Sequence, residues 1–169
     1  LFYRYTTGIF KVKSEAYAHR EELFSTKGFS GIYSNKYHLY MPPQVEKITA
    51  MKLGKSNEWP DAPLQYYHFF TDDKKTDGNF LTSRNEFLKN ENCVLSTANP
   101  TEDTEVFFRN SYAHEILFVH QGTGELLSEY GRLPFQEWDY IVIPKGTTYQ
   151  VKFKNYKKAK LFIIESSTP

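Results

Sequence analysis

A single cysteine, Cys93, stands among 169 residues, which excludes an intrachain disulfide and fits a reducing, cytoplasmic setting. Neither charge sign is in excess: 21 Lys and Arg face 20 Asp and Glu, for a net charge of +1. That balance gives no electrostatic footprint for nucleic acid or for an anionic membrane surface. No apolar run approaches the roughly 20 residues of a membrane span. The opening LFYRYTTG has no signal-peptide pattern, and its first Leu leads us to expect a natural N-terminus further upstream. Internal repeats, low-complexity tracts, phosphate loops and a nucleophile beside a base are all missing. Cys93, with no base nearby in sequence, reads as a small core residue.

Aromatic residues, by contrast, make up 17% of the chain, with 13 Tyr and 14 Phe. They favour strands and large packed faces, and they are enriched at interfaces. The length suits one domain with a sizeable core. We expect an arm over residues 1–45 carrying a short helix, then a β-barrel over residues 46–169. Ser14–Phe24 (SEAYAHREELF) is the helical candidate, with Ser14 as its cap. Lys47–Leu53, Leu64–Thr71 and Val94–Ala98 read as strands, and Phe80–Lys89 as an edge segment or helical turn. His38, beside Pro42-Pro43, reads as a hydrogen-bonded structural residue.

The densest pattern runs from Asn110 to Gln150. Apolar Ile116–Val119 meets the turn Gln121-Gly122-Thr123-Gly124; Glu125–Tyr130 follows, then Gly131, then Tyr140–Ile143, which Pro144-Lys145-Gly146 stops. Lys160–Glu165 closes the set. Short strands punctuated by Gly and Pro at such intervals point to an antiparallel sandwich or barrel. Side chains alternate faces along a strand. Counting by twos, Arg109, Ser111, Glu115, Leu117 and Val119 share the inner face, while His114, Ile116, Phe118 and His120 share the outer one. The two histidines then pack against another domain or subunit, or else form an outward metal site of their own.

Six residues separate Glu115 from Gly122, and two separate Pro144-Lys145-Gly146 from Tyr149. This spacing resembles the two motifs of the cupin superfamily, a mainly β jelly roll. There a His-x-His pair, a Glu and a further His hold one metal. At the matching positions this chain has Arg109, Ser111, Glu115 and Tyr149, so only the carboxylate is retained. A guanidinium that cannot lose its proton, a hydroxyl and a phenol make a poor divalent-metal set. We therefore expect a barrel without a metal, its ligand space taken by an Arg109–Glu115 ion pair with the Tyr149 hydroxyl nearby.

Longer stretches narrow the resemblance. Gly28-Phe29-Ser30-Gly31, Tyr37-His38, Pro42-Pro43, Phe107-Phe108-Arg109-Asn110, Glu115–His120, Gly131–Phe135 and Ile164-Glu165-Ser166 together resemble the amino-terminal half of homogentisate 1,2-dioxygenases. The resemblance implies an oxidoreductase of aromatic amino acid catabolism, built as a two-cupin chain and assembled as a trimer or hexamer. Fe(II) would be held by two His and one Glu of the carboxy-terminal cupin, so this stretch would have no catalytic residue of its own. It also implies that Gln150, by parity facing out of its own barrel, touches the small aromatic substrate; otherwise Gln150 is a solvent-facing strand residue. Two rival readings are a stand-alone cupin binding a small molecule without metal, and a single-domain cupin enzyme with an unorthodox site.

Overall fold

The computed structural model describes residues 19–27, 29–39, 41, 47, 65–68, 70–71 and 77–167. The chain divides into two compact units at Lys52/Leu53; the expected boundary at residues 45 and 46 lies outside the described residues. The first unit holds a hairpin of β1 (Arg20–Lys27) and β2 (Ser30–His38). Within it His38 Nε2 lies 2.8 Å from Glu22 Oε2, so this histidine does have a hydrogen-bonding partner.

The expected helix over Ser14–Phe24 is corrected here. Residues 14–18 lie outside the described residues, and Arg20–Phe24 belong to β1. The register Lys27↔Ser30 reverses the chain in two residues. Gly28 leads that connection in the sequence, a hairpin signal. Cross-strand pairing then outweighs the favourable helical propensity of Arg20–Leu23, as tertiary context overrides propensity.

Among the described residues the second unit is mainly β, in two antiparallel sheets. Five strands run in the order β3 (Arg84–Lys89), β4 (Cys93–Ala98), β11 (Lys160–Ser166), β6 (His114–Gln121), β9 (Tyr140–Ile143). Four run in the order β5 (Phe108–Arg109), β10 (Thr148–Phe153), β7 (Gly124–Ser128), β8 (Gly131–Phe135). No α-helix occurs among the described residues; one 3-10 turn spans Tyr156–Lys158. Residues 65–68 and 70, expected in a strand, lie in no regular element. Their aromatic run lacks the alternation that a half-buried strand needs.

Period-two burial joins the sheets. Leu117 and Val119 of β6, Ile141 and Ile143 of β9, and Leu161 and Ile163 of β11 face Leu126, Phe135, Tyr149, Val151 and Phe153 of the other sheet in one core. Each such aliphatic or Phe side chain contributes roughly 1.5–3 kcal/mol by burial. Two glycines set the geometry of β7. A Cβ on Gly124 would sit 2.1 Å from the Lys152 carbonyl oxygen and 2.6 Å from Phe135. Gly131, at φ +119, turns the chain into β8, with Ser128 Oγ donating to its carbonyl at 3.1 Å.

The Phe80–Lys89 segment resolves into a turn followed by an edge strand. Asn79 Oδ1 accepts from the backbone N–H groups of Leu81 (2.9 Å) and Thr82 (3.1 Å). β3 begins directly after that turn, and so Arg84 enters the space between the sheets.

A buried arginine–carboxylate–tyrosine cluster

Glu115 projects inward from β6, as its parity requires, and is fully buried at 0% exposure. Its charge partner is Arg84. Arg84 Nη1 donates to Glu115 Oε1 at 2.8 Å and to Glu165 Oε1 at 2.5 Å. Arg84 Nη2 donates to the Tyr149 hydroxyl at 3.1 Å, and that hydroxyl donates to Glu115 Oε2 at 2.7 Å. Four strands, β3, β6, β10 and β11, thus close one hydrogen-bonded network. The guanidinium also lies 4.5 Å from the Phe80 ring centroid and 5.6 Å from that of Phe108, a cation–π pairing strengthened by desolvation.

The expected Arg109–Glu115 pair does not form. Arg109 Nε instead donates to Thr148 Oγ1 at 2.8 Å. The reason is a turn inside the motif. Asn110 Oδ1 accepts from the N–H groups of Tyr112 (3.1 Å) and Ala113 (2.9 Å), ending β5 and restarting the alternation at β6. Phe108, paired with Tyr149 in register and packed on its ring at 5.7 Å, therefore takes the inner face. Arg109 turns outward, and Ser111 is exposed. Of the four motif positions, Glu115 and Tyr149 come together and the other two do not.

Sequence reasoning missed Arg84. It lies 31 residues before Glu115 and 81 before Glu165, on a strand whose bulge between Glu86 and Leu88 blurs its period. The usable signal was an arginine in an otherwise strand-like run beside an Asn turn.

Electrostatics follow from this packing. Burial pushes the Tyr149 hydroxyl well above its ordinary value, Arg84 opposing and Glu115 reinforcing the shift, so it stays protonated and able to donate. Burial works against the charged form of Arg84. The Tyr149 hydroxyl oxygen and the Glu115 and Glu165 carboxylates outweigh it and leave the guanidinium raised. Glu165 is raised mainly by burial, with Arg84 pulling it down and Glu115 and Glu86 pushing it up. A carboxyl with a higher pKa folded than unfolded binds its proton more tightly in the fold. Its contribution is present in acid and is lost as pH rises from about 4.3 through the folded value. Glu165→Gln is expected to flatten the fall in stability between that pH and neutrality, read from urea midpoints across pH.

The donor set does not suit a divalent metal. Both carboxylates are engaged by a guanidinium, and the next neighbours are a phenol and aromatic rings. His114 and His120 lie on the outer face of β6, as parity predicts. His114 Nδ1 accepts from the Lys145 N–H at 3.2 Å, and His120 packs on Phe118 and Trp138. Among the described residues no three His, Cys, Asp or Glu side chains come together as a metal site.

Gln150 does point away from Tyr149, yet it is buried at 5% exposure. Its Nε2 donates to the Thr104 carbonyl at 2.5 Å, while Thr104 Oγ1 accepts from Phe80 N–H at 3.1 Å. The solvent-facing reading of Gln150 is thereby corrected: the segment around Thr104 covers it.

No family model matches the chain. A Saccharolobus solfataricus protein bearing the name "Putative dioxygenase" is 38% identical over 147 residues, which are 86% of this chain and 38% of that protein. This chain therefore spans well under half the length of that relative. Among solved structures, a cupin-2 domain protein from Shewanella frigidimarina aligns with 50% of this chain and 79% of its own (21% identity, TM-score 0.41). The cupin domain of Schizosaccharomyces pombe Cnp3 aligns with 89% and 88% (10% identity, TM-score 0.47).

Proposed function

We propose that this chain is a metal-free amino-terminal cupin domain of a homogentisate 1,2-dioxygenase-like enzyme, residues 1–45 forming its arm. Three things support the reading: the ordered motifs from Gly28 to Ser166, the longer Saccharolobus relative with a dioxygenase name, and the occupancy of the inner space. The last carries it. A guanidinium stands 2.8 Å from Glu115, the one carboxylate retained from the metal-binding pattern.

The domain's own work is then structural: it holds a wall of a two-cupin assembly and contributes to a trimer or hexamer. Fe(II), bound by residues outside this chain, would supply oxygen activation for opening a small aromatic ring. The Gln150–Thr104 hydrogen bond suits a positioning role, fixing the loop that would reach toward that substrate.

The test is iron content and oxygen uptake with homogentisate, measured on the longer protein and on this chain alone. The longer protein is expected to hold iron and consume oxygen, and the 169 residues to do neither. Stoichiometric iron retained by the short chain, or a loaded long protein inert towards homogentisate, would overturn the assignment.

A further inference from the structure

Among the described residues four strands end the sheets of the second unit, β3 and β9 in one and β5 and β8 in the other. Open edges present unpaired N–H and C=O groups, and proteins blunt them with charge, proline, bulges or brevity. β3 carries Arg84, Lys89 and a bulge. β8 contains Pro134, and β5 is two residues long. β9 is short, Tyr-Ile-Val-Ile, but it has no charge, no proline and no break in its pairing with β6.

The direction of its backbone groups follows from one hydrogen bond. Val119 N–H donates to the Asp139 carbonyl at 2.9 Å. Antiparallel bonding alternates from there, so Ile141 and Ile143 face β6. Tyr140 and Val142 then aim their N–H and C=O groups off the sheet. Their side chains are 67% and 64% exposed. Next to them lies an aromatic platform: Phe118 is 4.7 Å from Tyr140 and 6.0 Å from Trp138, and His120 is 5.9 Å from Trp138. Trp138 is 67% exposed and sits at φ +76, a strained position for a bulky residue. Its N–H bond to Val119 O (2.8 Å) and the Asp139 N–H bond to Gln136 O (3.2 Å) hold it there.

We propose that β9 pairs antiparallel with β9 of a second copy about a two-fold axis at Ile141, joining the two five-stranded sheets into one. The register is self-complementary. Tyr140 of each copy meets Val142 of the other, an aromatic against a β-branched residue, which is a favourable cross-strand pair. Such an isologous contact closes on itself. The same register sets Lys145, largely covered in the single copy, opposite the exposed Glu137 of the other copy, so the sequence places base against acid at both ends of the pairing. The continuous aromatic platform on the outer face adds apolar area to the few backbone bonds.

Sedimentation equilibrium in reducing buffer, at tens of micromolar chain, tests this. The wild-type mass is expected to be an even multiple of 19.9 kDa, and Val142→Lys to halve it while leaving the far-ultraviolet circular dichroism unchanged. Tyr140→Lys serves as the second variant should Val142→Lys fail to fold. Leu88→Lys, on the β3 edge, should leave the mass as it is. An odd multiple, or a mass that a folded edge variant leaves intact, would overturn the proposal.

Discussion

Replacing Arg84 with alanine is expected to lower the unfolding free energy by about 3–5 kcal/mol, the cost of leaving a buried charge without its partner. Glu115 is out of water and takes its hydrogen bonds from Arg84 and Tyr149. Without the guanidinium, one phenolic O–H must solvate the carboxylate. The change also opens space between Phe80 and Phe108, which flank the arginine. Urea unfolding measures the loss, with exposed Lys157→Ala as a control expected to stay within about 0.5 kcal/mol. The pair Arg84→Met with Glu115→Leu should recover most of it, because apolar replacement of a whole buried ion pair is often neutral. An Arg84→Ala protein as stable as the control would show that water, not the fold, solvates Glu115.

The second large effect concerns Gly124→Val. Even the first carbon of that side chain would stand 2.1 Å from a backbone oxygen of β10 and 2.6 Å from the Phe135 ring of β8. The aromatic ring can shift, but the carbonyl cannot move without tearing the β7–β10 ladder, in which Gly124 pairs with Phe153. Overpacking of this kind costs roughly 3 kcal/mol or more. In a domain of this size that lowers the melting temperature by about 10 °C. Gly131→Ala, in open space and strained only by its φ of +119, should cost clearly less in the same melting experiment.

Much of the second unit is legible in the sequence. Tyr140–Ile143 is bounded by Pro144 on one side and became β9 residue for residue. Alternation along Glu115, Leu117 and Val119 named the inner face of β6 correctly, and with it the outward turn of His114 and His120. These features depend on near neighbours, and near neighbours are what a period records. Counting by twos failed where the strand was interrupted: the Asn110 turn restarts the alternation, so Phe108 takes the inner face expected of Arg109. Arg84 lay beyond reach for another reason. Its partners are brought to it by strand order, and no local spacing encodes that β3 and β6 face the same interior. The helix expected over Ser14–Phe24 failed because propensity was weighed without the strand that pairs with Arg20–Phe24.

β11 comes last among its strands in sequence but third of five in position, with β4 on one side and β6 on the other. During synthesis both flanking halves leave the ribosome before the piece that joins them. Until residues 160–166 clear the exit tunnel, β4 and β6 each keep an unpaired flank open to wrong partners, the usual hazard of an unfinished sheet. Assembly of this layer therefore waits for the last of its strands, and a nascent chain stalled before residue 160 would be the species most in need of a chaperone.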